Sequence, residues 1–239
     1  MNHKDWEAHL SICRKVETGG NNSDHGEDPA ILAEQQGFID RFRQYLPPPA
    51  RILAPGAVSE ALLLARAGYE IHTILLGPDN VKWVNDRKAQ LPNPALLHAY
   101  ELDGHKLLGP FSENYFDGYF SIQVHEHWLS PIVHITEARF VLRDGAKVFV
   151  DACGTTNEAC KMAWHVNLVP AKTVMEQWEY GGFSVLWEGP HGDNRPQFIF
   201  NKLPWGQGRN DGYLSWVRRL RRGEKISYRY TCAEPECKK

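Results

Sequence analysis

The densest group of chemically able side chains is the hexapeptide QVHEHW, Gln123 to Trp128, which follows the apolar run FDGYFSI. His125 and His127 flank Glu126 at alternate positions. On an extended segment alternate side chains share a face, so both imidazoles are expected to point the same way. Imidazole titrates near neutral pH, which suits it to take or give a proton in catalysis. Two histidines on one face could instead begin a metal site, but third and fourth ligands are not evident nearby in the sequence. No metal is therefore assigned. The third reading is structural, with the cluster serving the packing of the strand end.

A second candidate is ILAPGAVSEALLLARAGYEIHTILLGP, residues 52 to 78, which reads as strand, turn, helix and strand. Such a unit usually holds a nucleotide, and its first turn is then rich in glycine, which lets the backbone approach the ligand. Here the turn runs Gly56, Ala57, Val58, Ser59, Glu60, with a single glycine. Valine is sterically poor at a tight, left-handed position. Glu60 either intrudes on the ligand or turns outward to start the next helix, where its charge suits the dipole. Leu75 and Leu76 end the second strand, where an acid would normally grip a ribose. Asp103 and Gly104 lie in ELDGH, as a plain turn or as a ligand contact.

The elements that must position these residues follow from periodicity and stop signals. Asp28 caps a helix that begins at Pro29 and ends before LPPPA, with Ile31, Leu32, Phe38, Ile39, Phe42 and Tyr45 on its apolar face. Short strands are expected at RILA, EIHTILL, ALLHAYEL, FDGYFSIQVHE and AKVFVDACG. Helices separate them at SEALLLARA, with Gly68 as its stop, at DNVKWVNDRKAQ, and at SPIVHITEARFVLRDG, from Ser130 to Gly145. This alternation implies a parallel sheet wrapped on both faces. GFSVLWE and PQFIFNK break the pattern, because the turn-rich GPHGDNR between them is too short for a parallel crossover. The sheet should end in an antiparallel hairpin.

Taken in order, these segments resemble the class I S-adenosylmethionine-dependent methyltransferase family over about residues 29 to 202. RILAPG with the helix and second strand, ELDGH, FDGYFSIQVHEHW and ARFVLRDGAKVFVD look like the family's successive segments. The resemblance implies a Rossmann-like α/β sandwich, with a seven-stranded, mostly parallel sheet that ends in an antiparallel hairpin. It implies S-adenosylmethionine as cofactor, held by Gly56, Ala57, Leu76, Asp103, Gly104 and Gln123. Leu75 replaces the family's ribose-binding carboxylate, while Asp103 matches the acid that contacts the adenine edge. His125 and His127 become candidates to position or deprotonate the methyl acceptor. A glutamate–histidine pair before an aromatic recurs at this place in many family members, whatever their substrate, which keeps the structural reading open.

Domain organisation is read as an N-terminal extension (1–28), the methyltransferase-like domain (29–202) and a C-terminal extension (203–239) packed on it. Trp164 and His165 fall in the segment between strands five and six, which in this fold commonly covers the acceptor pocket. In DGYLSWVRRLRRGEK, Tyr213, Trp216, Val217 and Leu220 can pack inward, which leaves Arg218, Arg219, Arg221 and Arg222 as a local basic face. With 27 basic against 29 acidic residues, no global field favours nucleic acid or an anionic membrane. No apolar run approaches the roughly 20 residues of a membrane span. Five cysteines, Cys13, Cys153, Cys160, Cys232 and Cys237, are scattered and odd in number, which argues for a reducing cytoplasm rather than a disulfide framework. Two functions remain: a methyltransferase acting on a small-molecule oxygen or nitrogen, or a binding module of the same fold that has lost its cofactor. The sequence does not specify an oligomeric state.

Overall fold

The computed structural model describes residues 28–158 and 165–221, with Ala8, Ser11 and Lys161 besides. Trp164, Arg222 and all the cysteines except Cys153 lie outside the described residues, as do the side chains of Tyr213, Trp216, Leu220 and Arg221.

Asp28 opens α1 (Pro29–Arg43) by accepting a hydrogen bond from the Ala30 amide at 2.8 Å, as an N-cap should. Then follow β1 (Arg51–Pro55), α2 (Ser59–Arg66), β2 (Glu70–Leu75), α3 (Pro78–Lys88), β3 (Leu97–Glu101) and β4 (Phe116–Ile122). The chain continues through α4 (Pro131–Val141), β5 (Leu142–Asp151), α5 (Ala171–Tyr180), β6 (Phe183–Glu188), β7 (Gln197–Lys202) and α6 (Asp211–Arg221).

The seven strands form one sheet in the order β3-β2-β1-β4-β5-β7-β6. The first five are parallel, and β7 inserts between β5 and β6, antiparallel to both. The expected closing hairpin is therefore present, with Val185 opposite Phe200. Alternate residues of each strand feed two cores. Ile52 and Ala54 of β1 pack with Ile39 and Phe42 of α1 and Leu64 of α2, while Leu53 packs on the other face with Ile135 of α4 and Trp178 of α5.

Three elements differ from the sequence reading. β4 stops at Ile122, and His125–His127 form a single 3-10 turn instead of extending the strand. Helix α4 ends at Val141, and β5 starts at the next residue. Gly145 is not a helix stop; at φ +77° it sits where the β4–β5 pairing slips, between Phe116 opposite Leu142 and Gly118 opposite Lys147. Helix α5 was not anticipated, although Ala171, Val174 and Trp178 recur at helical spacing and are all buried. Cys153 is disulfide-bonded, contrary to the expectation of unpaired thiols. Among the described residues no helix is long and apolar enough to cross a membrane.

Helix α4 is buried nearly all round, including His134, Glu137 and Arg139. Each of these side chains is held by a different segment. Glu137 accepts the Leu108 amide at 2.9 Å. Arg139, with no exposed surface, pairs with Asp211 of α6 at 2.7 Å, donates to the Gly182 carbonyl and stacks over Trp205. This pair holds residues 203–214 against the domain. Arg218 is likewise engaged, with Glu113, so it is not part of an unpaired basic face. Asp211→Ala is expected to cost about 3–5 kcal/mol, because it strands a buried guanidinium. Urea denaturation checks this, and Arg139→Met with Asp211→Leu should cost less than Asp211→Ala alone.

Candidate functional site

The sheet turns its order at β1 and β4: the chain leaves β1 toward β2 on one side and β4 toward β5 on the other. The carboxyl ends of these neighbours form the crevice where open α/β sheets bind ligands.

Gly56 begins the turn after β1 at φ +68°, and its amide donates to the Ile74 carbonyl at 2.9 Å. A Cβ there would lie 2.5 Å from Cγ2 of Val124, so the valine closes directly over the turn. Thr73 Oγ1 ties the turn down by donating to the Ala57 carbonyl at 2.5 Å. Val58 is not left-handed, at φ −107°, and is buried. Glu60 takes the helix-start role: Oε2 accepts the Val58 amide at 3.1 Å, and Oε1 accepts from Gln35 of α1 at 2.7 Å. Desolvation raises its pKa above the ordinary carboxylate value.

Leu75, 2% exposed, belongs to the core shared with α1, α2 and α3, and its carbonyl accepts the Leu102 amide at 3.0 Å. Leu76 is half-buried at the strand end. After β3, Asp103 Oδ1 accepts the His105 amide at 2.9 Å and lies 2.8 Å from Nδ1 of the same residue. Its other oxygen, Oδ2, is buried without a hydrogen-bond partner. Burial alone would push Asp103 up, but the His105 contacts and the Lys106 charge outweigh it and hold the carboxyl below its usual pKa. A buried, ionised oxygen with no donor is costly unless a ligand supplies one.

The neighbouring Gly104 carbonyl faces His134 Nδ1 at 2.7 Å, and Tyr119 Oη meets Nε2 at 2.9 Å. Since a carbonyl only accepts, Nδ1 carries the proton and Nε2 accepts from the tyrosine. The ring also stacks on Trp128, with centroids 3.6 Å apart.

Gln123 is exposed, at φ +52°, and its amide donates to the Asp151 carbonyl at 2.7 Å. The two histidines do not share a face, because a 3-10 turn and not a strand carries them. His125 is fully buried, with Nε2 donating to Gln177 Oε1 of α5 at 2.7 Å and Nδ1 unpartnered. Desolvation, only partly offset by Gln177, pulls it down to about 4, so it is neutral at neutral pH. His127 is half-buried, and its ring lies 4.8 Å from that of His165, centroid to centroid. Glu126 between them has no exposed surface, and neither carboxyl oxygen makes a hydrogen bond. Burial pushes it up to about 8, offset in part by the Glu126 and Cys153 amides, which face it without reaching bonding geometry.

Beside it, at the end of β5, Asp151 is also fully buried but fully answered. Arg195 Nε donates to both its oxygens, at 3.0 and 2.8 Å, and Gln197 Nε2 donates at 2.6 Å. Desolvation still raises it to about 6. Arg195 also reaches Glu34 of α1 at 2.5 Å, closing the rim.

Two surface clefts lie away from this crevice. One of about 260 Å³ is lined by Pro49, Arg51, Glu70 and Asp117, at the amino ends of β1, β2 and β4. Another of about 150 Å³ runs between α1, α2 and α3. At the carboxyl rim Val124 lies over the Gly56 turn, and Trp128 is buried beside it.

Residues 53–150, from within β1 nearly to the end of β5, match the family model described as a methyltransferase domain. Over these residues the chain is similar to the class I S-adenosylmethionine-dependent methyltransferases. No curated protein matches the sequence. Among solved structures, a protein of Galdieria sulphuraria provisionally named sarcosine dimethylglycine methyltransferase is similar at 13% identity and TM-score 0.63, over 73% of this chain and 87% of that one. The 4+2 cyclase SpnF is similar at 17% identity and TM-score 0.61, over 74% and 84%. A geranyl diphosphate C-methyltransferase from Streptomyces coelicolor A3(2), solved with Mg2+, geranyl diphosphate and S-adenosyl-L-homocysteine, is similar at 9% identity and TM-score 0.61, over 72% and 78%. These likenesses establish the methyltransferase fold.

The two ends of the cofactor crevice differ in how they suit the family's cofactor. At β3 the orphaned Asp103 Oδ2 is an acceptor in want of a donor. At β1 the backbone cradle of Gly56 is present, but Val124 occupies the space above it. His134, Gln177, Asp151 and Arg195 escaped the sequence reading. The available signal was polar residues inside apolar elements, such as His134 within PIVHITEARFV and Asp151 closing AKVFVD. Gly56→Ala is expected to destabilise by about 2–4 kcal/mol, from left-handed strain and overpacking. Adding Val124→Ala should recover the overpacking part, which a double-mutant cycle by thermal unfolding would measure.

Proposed function

We propose that this protein is an S-adenosylmethionine-dependent methyltransferase acting on a small-molecule oxygen or nitrogen acceptor. The observation that carries the reading is Asp103 Oδ2, a buried carboxylate oxygen lacking a donor at the end of β3, where the fold receives an adenine amine. When bound, S-adenosylmethionine supplies an electrophilic sulfonium methyl. The chain's part is to bind and align. Asp103 and the Gly104 turn would hold the adenine end, and the Gly56–Ala57 backbone the amino-acid end once Val124 turns aside. The acceptor would enter on the side of His127 and His165, the half-buried pair of rings at the carboxyl rim. Fixing the two reactants in line supplies most of the rate. His125, locked by Gln177 and fully buried, acts through positioning of the turn. The lack of a basic groove in the sequence supports a small substrate over a nucleic acid.

A second reading is supported by Val124 over Gly56 and by Leu75 in the core: the domain has kept the fold but serves another ligand or reaction. The similar SpnF is a cyclase, so the fold alone does not choose. An aspartate at position 75 would be buried and does not test the point; Val124 does.

Calorimetry and thermal melting with S-adenosyl-L-homocysteine separate the two. Binding at a hundredfold excess over Kd adds about 2.7 kcal/mol of stability. Val124→Ala should tighten binding, and Asp103→Ala should weaken it by about ten- to a hundredfold, the value of a charged hydrogen bond. No melting shift in either the parent or Val124→Ala overturns the methyltransferase reading in favour of the second.

A further inference from the structure

The geometry points to a divalent transition-metal site formed by Glu126, His127 and His165 at the carboxyl rim of the sheet. One ligand atom from each residue lies within 4.8 Å of the other two. Ligand atoms on a tetrahedral zinc lie about 3.4 Å apart, from bonds of about 2.1 Å, so a small closing of the side chains completes the set. The second observation is independent of that spacing. Glu126 has no exposed surface, and neither of its oxygens makes a hydrogen bond. A buried carboxylate in that state is expensive unless it is protonated, and a cation in place of the proton equally removes the cost. Asp151 next door shows the contrast, since Arg195 and Gln197 satisfy it completely.

The site is held in place by the chain around it. Asn167 donates its amide to the Glu126 carbonyl at 3.0 Å and its side chain to the His125 carbonyl at 3.3 Å. That staple brings the segment carrying His165 onto the 3-10 turn and places the third ligand 38 residues downstream of the second. Two imidazoles and one carboxylate suit zinc, iron, cobalt or nickel better than magnesium or calcium, which favour all-oxygen sets. Three protein ligands leave a coordination position open to a small molecule, as in catalytic rather than structural sites. Glu70, His72 and His98 form the other close group among the described residues, but there the carboxylate and His72 are already engaged. Glu70 Oε1 contacts Arg51 at 2.9 Å and His72 at 3.1 Å, and His72 Nδ1 contacts the Tyr100 hydroxyl at 3.0 Å. The inference stands whether or not the protein transfers methyl groups.

The test is a titration of the metal-free full-length protein with Zn2+ against a chromophoric chelator, with Co2+ absorption as a second readout. One equivalent of Zn2+ should bind, Co2+ should give visible d–d bands of a nitrogen- and oxygen-ligated site, and Mg2+ should not compete. Glu126→Gln and His165→Ala should each weaken Zn2+ by about tenfold or more, and His98→Ala should leave it unchanged. Circular dichroism checks that each variant folds; should Glu126→Gln not fold, His165→Ala decides alone, and should that fail too, His165→Gln takes its place. Absence of stoichiometric Zn2+ uptake overturns the proposal. So does uptake that is unchanged in these variants, which would put the metal elsewhere in the chain.

Discussion

A single buried histidine sets the floor of the crevice. His134 has no exposed surface, and desolvation drives its pKa far below the usual value, so it must stay neutral. In that state it has one proton to give and one lone pair to fill. The Gly104 carbonyl takes the proton, Tyr119 fills the lone pair, and the ring face lies on Trp128. Neutral hydrogen bonds of this kind are worth only about 1 kcal/mol each. Their weight here is geometric, because α4, the turn after β3, strand β4 and the segment after β4 all meet at one ring. Asp103 is held where it is because Gly104 is held.

The same segments explain why Val124 covers the turn after β1. A strand that continued past Ile122 would carry His125 and His127 outward on one face. Gln123 instead adopts φ +52°, the chain turns, and Val124 drops over Gly56 while Glu126 goes inside. Left-handed backbone on a non-glycine residue costs about 1–3 kcal/mol and persists only where its surroundings enforce it. Here the Gln123 amide is fixed to the Asp151 carbonyl at 2.7 Å. The result is a rim with two inward carboxyls, one matched by arginine and glutamine and one without a hydrogen bond.

Much of the fold was legible because it depends on short-range rules. Asp28 and Pro29 start a helix, Gly68 at φ +96° ends another, and a seven-residue turn cannot carry a parallel crossover. The degenerate glycine turn and the acid at Asp103 were equally readable, since they are matters of residue type at a fixed offset from a strand. Boundaries were lost where no local signal competes with packing, as at the α4–β5 junction. There strand pairing with β4 begins as soon as the helix ends, and Gly145 serves a slip in register.

What the sequence by itself determined, then, was the order of strands and helices, the antiparallel ending and the identity of the polar residues at the strand ends. Only the tertiary structure decided what those residues face. Whether Glu126 is buried depends on a turn that propensity does not predict, and His165 joins it through Asn167 from beyond β5. Val124 covers Gly56 by a contact between segments 68 residues apart. Local sequence fixes backbone propensity within a few residues, whereas burial and partnership arise only when distant segments compete for the same space.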